Sequence, residues 1–264
     1  MAATKLWKSK SAADWHAVWG RYPAVVAALQ KDKLEELDAW FQTTLPEILH
    51  KRDPKPFISQ KELVKLMEWK LKKGKWRPQL MKYIESLSAD AVQKASENAF
   101  KELAGGKVKS AIEALAELKG VGPATASAVL AAYDTNVPFM GDEALEAIAH
   151  IIGTRKYTLG HYMLFTVQLE EKAKWLSQQK SEDEDEDEAD VDEKDTQWTA
   201  QKVQLCLYAA AHDSATDSTK AKAGKASASK PKAKAKAKTA KRSAPESEPK
   251  EENQLTRTRR RTAT

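Results

Sequence analysis

Leu118-Lys119-Gly120-Val121-Gly122-Pro123-Ala124-Thr125-Ala126 sets two glycines around one apolar residue, with a proline directly after the second. Upstream, Val108, Ile112 and Leu115 recur at i, i+4 and i+7. Downstream, Ala126, Val129, Leu130 and Tyr133 recur at i, i+3, i+4 and i+7. Apolar side chains at these intervals share one face of a 3.6-residue helix, so the stretch reads as a joint between two amphipathic helices. Gly120 can take the positive φ that closes the first helix, and Pro123 suits the first turn of the second. Such a tight joint aims backbone N–H groups at one point beside the positive end of a helix dipole, which makes a phosphate-sized anion site.

Two other readings of these residues stand beside that one. Gly-x-Gly also opens a dinucleotide-binding loop, but that loop follows a strand and carries a third glycine where this chain has Thr125. A plain αα-corner needs no ligand at all.

Outward from the joint, few glycines, little β-branched alternation and recurring 3.6-residue spacing predict an all-α fold. Helices are expected from Ser11 through Trp19, over Pro23–Leu29 and over 32–42. Lys51–Pro56 then breaks the pattern with two prolines. Ser59 and Glu62 form a capping box for a helix to about Lys73. Further helices are expected after Pro78, over 88–103, and on either side of the joint within 107–133. After the loop Asp134–Gly141 they follow at 143–152, 158–179 and Gln197–Ala211. The domain expected is 1–180, completed by a helix within 196–212 whose Trp198, Val203, Leu207 and Tyr208 favour docking. The alternative is a domain ending near 180 with that helix detached.

Composition adds two charged blocks. Residues 181–195 carry eleven acidic side chains against one lysine, and residues 220–264 carry fifteen Lys/Arg against four Glu. Removing a block of −10 and one of +11 from the overall +6 leaves the rest of the chain at +5. Such blocks bury too little apolar surface to fold, so an acidic disordered loop (181–195) and a basic disordered tail (213–264) are expected. The single cysteine, Cys206, excludes an internal disulfide and a cysteine-based zinc or iron–sulfur site. The five histidines show no metal-ligand spacing, so neither metal nor cofactor is expected. Met1–His16 has no apolar run and no stretch reaches transmembrane length, so neither a secretory signal nor a membrane partner is expected. A monomer is expected.

Twenty residues after Gly122, Val137-Pro138-Phe139-Met140-Gly141-Asp142-Glu143-Ala144-Leu145 follows the joint. With this segment the sequence resembles a divergent member of the helix-hairpin-helix DNA glycosylase superfamily. In that family a Leu-x-Gly-Val-Gly-x-x-Thr-Ala hairpin precedes a proline-containing loop and a catalytic aspartate. The resemblance implies that Gly120, Val121, Gly122, Ala124 and Thr125 contact DNA and that Asp142 is catalytic, in an all-helical fold with a groove between two lobes. A carboxylate beside the anomeric carbon would stabilise an oxocarbenium-like sugar while the hairpin grips the phosphate of an extruded nucleotide. The other reading of Asp142 is an ordinary helix N-cap. The sequence departs from the family at Ala124, where bifunctional members carry a Schiff-base lysine, so lyase chemistry by that route is not expected. No histidine or arginine follows Asp142 within Glu143–Ala147, and Gly141 replaces an apolar residue.

Trp69–Pro78 joins five cations to two indoles. Lys72, Lys73, Lys75 and Arg77 read as phosphate contacts, with Trp69 or Trp76 able to stack on an unpaired base; the alternative is that both tryptophans pack inward. Lys220–Lys241 resembles the tails of linker histones and would bind duplex DNA by counterion release. The tail, with Arg257–Arg261, also reads as a nuclear import signal. The acidic run could fold back on this tail, bind histones or be a solvated loop. The expectation is therefore a nuclear DNA-binding protein of this glycosylase type, monofunctional if an enzyme. The alternative is an inactive DNA- or chromatin-binding module on the same fold, with histones or import receptors as further partners.

Overall fold

A computed structural model of the chain describes residues 2–179 and 197–213. The expected acidic loop and the basic tail beyond Asp213 lie outside the described residues. Within them the protein is all-α, and no strand occurs among them.

Ser59 and Glu62 make the reciprocal cap their spacing predicts. The Ser59 side chain accepts from the Glu62 N–H, and Glu62 accepts from the Ser59 N–H at 2.8 Å. That cap opens α5 (Gln60–Lys73), which follows α1 (Ala2–Lys8), α2 (Ala12–Ala28), α3 (Leu34–Ala39) and α4 (Leu45–His50). A π-helical turn, Trp40–Thr44, joins α3 to α4. Two expected helices, Ser11–Trp19 and Pro23–Leu29, are one: α2 runs straight through Pro23. Proline there removes one hydrogen bond. The buried face of Trp15, Val18, Tyr22, Val25 and Val26 holds the helix together across it.

Next come α6 (Pro78–Glu85), α7 (Ala89–Ala104), α8 (Val108–Ala116) and α9 (Pro123–Tyr133). The expected helix at 143–152 is two, α10 (Asp142–Ala147) and α11 (Ala149–Ile152), broken at Ile148. The last two are α12 (Leu159–Gln178) and α13 (Ala200–His212). No helix among the described residues is long and apolar enough to cross a membrane.

The helices pack as two groups. α3 to α9 form one, while α1, α2, α10, α12 and α13 form the other. α13 is buried on nearly every side, from Ala200 to Ala210, against α1, α2, α10 and α12. An apolar surface of that extent removed from water is the main reason the helix docks. The groups meet where α2 packs on α3 and α12 on α8 and α9, and a cavity lies between α5, the Gly120–Gly122 joint and α10.

Candidate functional site

The hairpin is built by close approach. Gly120 has φ +87°, and a Cβ on it would lie 2.7 Å from Cβ of Tyr83 on α6. Only glycine fits both the left-handed backbone and that contact. Val121 points into the core and its N–H donates to the Leu118 carbonyl at 3.0 Å. Gly122 is the N-cap of α9 and has no side chain to cap the helix, while Pro123 has no N–H to offer. Thr125 and Ala126 donate to the Gly122 carbonyl, both at 2.9 Å. The N–H groups of Gly122 and Ala124 find no acceptor among the described residues. The Gly120 N–H has none either, so within Gly120–Gly122 only the Val121 N–H is committed inside the fold and the others are open to an anion.

The loop before Asp142 is clamped from three helices. Ser127 of α9 accepts from the Met140 N–H at 3.0 Å. Tyr162 of α12 donates to the Pro138 carbonyl at 3.1 Å. Gln201 of α13 accepts from the Phe139 N–H at 2.8 Å. These bonds satisfy a buried, irregular backbone that would otherwise be costly, and they set the position of the next residues.

Asp142 is the first residue of α10, and Gly141 is its N-cap. The Asp142 side chain makes no capping bond. Oδ1 accepts from the Tyr157 hydroxyl at 2.7 Å, and Oδ2 lies 3.4 Å from Arg155. Burial, then the hydrogen bond to Asp142, pushes the Tyr157 phenol up to about 12. Arg155 also reaches Glu146 at 3.3 Å. The neighbouring Glu143 accepts from His212 of α13 at 2.9 Å. Burial works against the Glu143 carboxylate, yet that bond holds it below its ordinary range.

A cavity of about 230 Å³ opens between these elements. The hairpin contributes Gly120, Gly122, Ala124 and Thr125 to it, and α10 contributes Asp142 and Glu143. Lys75 and Arg77, between α5 and α6, reach its rim and are exposed. Phe139 and Met140 line it as walls; both are buried and leave the space open. It is large enough for one planar heterocycle.

Not every expected contact converges there. Lys73 lines the cavity, but its side chain is 2% exposed, paired with Asp38 at 2.9 Å and hydrogen-bonded to the Tyr22 hydroxyl at 2.6 Å. Its ammonium is turned away from solvent, which corrects its reading as a phosphate contact. Lys72 lies outside the cavity and pairs with Asp32 at 2.6 Å and Glu68 at 3.7 Å. The two indoles divide: Trp69 is fully buried and donates to Asp38 at 2.8 Å, whereas Trp76 is 50% exposed. Three residues at the site carry no distinguishing signal along the chain. Arg155 and Tyr157 come from the loop after α11, well beyond Glu143–Ala147, and no spacing ties them to Asp142. Lys70, on α5, is one cation of the basic segment among several.

Comparison with protein-family models, with curated proteins and with solved structures finds no match for this chain.

Proposed function

We propose that this chain is a DNA-binding protein of helix-hairpin-helix glycosylase type, and that it hydrolyses the N-glycosidic bond of a base extruded into the cavity. The supporting observation is convergence: free N–H groups of the hairpin, the Asp142 carboxylate and the cations Lys75 and Arg77 surround one heterocycle-sized space. In this reading the hairpin and the cations hold phosphates, while Asp142 faces the sugar as positive charge develops at C1′. Extrusion fits a site set between two groups of helices. The basic tail would add sequence-independent affinity and direct the protein to the nucleus. The engagement of both Asp142 oxygens by Tyr157 and Arg155 favours a second reading, a binding module without turnover.

A screen of duplexes carrying different damaged bases separates the two, with Asp142→Asn as the control. Wild type is expected to release a base and the variant none, with duplex affinity equal or higher because a charge facing DNA is removed. The Asp142–Arg155 pair is more than a third exposed, so the substitution should cost less than about 1 kcal/mol of stability. Base release by the variant at the wild-type rate excludes Asp142 as the catalytic group. No release by wild type from any duplex leaves the binding module.

A further inference from the structure

Three lysines along the last turn of α5 meet different fates. Lys72 and Lys73 are each paired with carboxylates. Lys70 lines the cavity, is half-buried, and has no hydrogen bond or ion pair among the described residues. The charged and titratable groups that face it are Lys75 and Arg77 from the α5–α6 connection, Asp142 and Glu143 from α10, and Tyr157 from the loop before α12. With Lys73 set aside as the partner of Asp38, the lining holds three cations against two carboxylates, and both carboxylates already have partners.

A net positive, partly dehydrated space discriminates between leaving groups. A neutral nucleobase leaves its sugar as an anion, which a cation stabilises and a proton donor neutralises. A ring-alkylated base is cationic before cleavage, leaves neutral, and meets only repulsion here. Resting on the glycosylase reading above, we propose that Lys70 donates a proton to the departing base, and that the site takes neutral rather than cationic bases. Burial, then the nearby Arg77, pushes the Lys70 ammonium down to about 8, with Asp142 pulling the other way. It therefore remains mostly charged at neutral pH and yields its proton more readily than a solvated lysine.

The step balances without a further reactant than water. The C1′–N bond breaks with both electrons going to the base nitrogen, and Lys70 Nζ transfers a proton to the base. Water adds to C1′ beside Asp142, its proton goes to solvent, and the Lys70 amine takes one back from solvent.

Single-turnover base release by the full chain tests this on duplexes containing uracil, hypoxanthine or 7-methylguanine, from pH 6 to 10. Release is expected from the neutral bases, with a rate that falls as pH rises through a midpoint at or above 8, since DNA phosphates strengthen the ammonium's hold on its proton. Lys70→Met should slow release by about 10²- to 10⁴-fold. Lys70→Arg keeps the charge but holds its proton far above this range, so it should lose rate and the alkaline limb while keeping duplex affinity within about twofold. Should either variant fail to fold, the wild-type profile decides. A rate that is flat through pH 8, release unaffected by Lys70→Met, or faster release of 7-methylguanine overturns this proposal and leaves the glycosylase reading standing. Duplex binding with no release from any of the three, nor from any other duplex of the damaged-base screen, overturns both.

Discussion

Gly120 and Gly122 are two residues apart and serve unlike ends. At Gly120 the fold itself demands glycine, through a positive φ and the 2.7 Å approach to Tyr83. At Gly122 it does not: φ is −105°, an ordinary extended value, and a Cβ would meet nothing within 4 Å. The open side of Gly122 faces the cavity, where a ligand's phosphate would lie against the N–H groups. Gly120→Ala is therefore expected to cost about 1–3 kcal/mol, from strain and overpacking together. Gly122→Ala should cost under about 1 kcal/mol, the usual difference between these residues at an N-cap. Its duplex affinity should nonetheless fall. Thermal melting and fluorescence anisotropy check the pair, and a Gly122→Val protein that binds duplex DNA like wild type excludes this hairpin as a DNA-binding element.

Among elements, α13 decides where Asp142 sits. Gln201 holds the loop backbone, and Gln204 packs so close to Gly141 that a Cβ there would lie 2.5 Å from its Nε2. Gly141→Ala is thus expected to force the fully buried Gln204 amide aside, at about 1–3 kcal/mol. It should also lower base release more than duplex binding, because the hairpin is untouched. Denaturant titration alongside single-turnover rates reads both effects. The capping box, the hairpin and the Asp142 loop are legible in the sequence because each is local: a few residues at fixed spacing carry the whole signal. The fate of Lys70, Lys72 and Lys73 is not, since which lysine turns inward depends on Asp38 and Tyr22, which lie 32 to 51 positions away. The pairing of Asp142 with Arg155 and Tyr157 is hidden for a related reason. The break between α10 and α11 brings back a loop that helix periodicity does not place. Gly141, a departure from the family pattern when read along the chain, is explained by its neighbour Gln204 on the far side of the acidic run.

Across the whole molecule, one buried polar network spans both groups of helices. Asp38 of α3 accepts from Tyr22 of α2, from Trp69 and Lys73 of α5, and from Gln42 in the π-helical turn. Lys73 lies 3.8 Å from the ring centre of Tyr208 on α13. Burial opposes the Asp38 charge, but Lys73 and the hydrogen bonds of Trp69 and Tyr22 hold its carboxyl below the ordinary 3.8. A depressed folded value stabilises the protein above the unfolded value, and the contribution is lost as pH falls through the folded one. Asp38→Asn should cost about 3–5 kcal/mol at pH 7, because Lys73 is left buried without a counter-charge. The gap between wild type and variant in urea titrations should narrow below pH 4, and a constant gap would refute the assignment. The net +11 of residues 220–264 predicts a second global property. Deleting them should flatten the dependence of log affinity on log salt, by about 0.9 for each DNA phosphate that the tail neutralises.

The burial of α13 also fixes an order of events during synthesis. The helices made first, α1 and α2, pack against one of the last, and so does the loop that presents Asp142. A nascent chain that has emerged only as far as the acidic run has its hairpin in hand but lacks one of the three clamps on the Asp142 loop, the bond to Gln201. The hairpin can thus form before the loop that carries Asp142 is fully held, and the finished cavity arises only when residues 200–212 have left the ribosome.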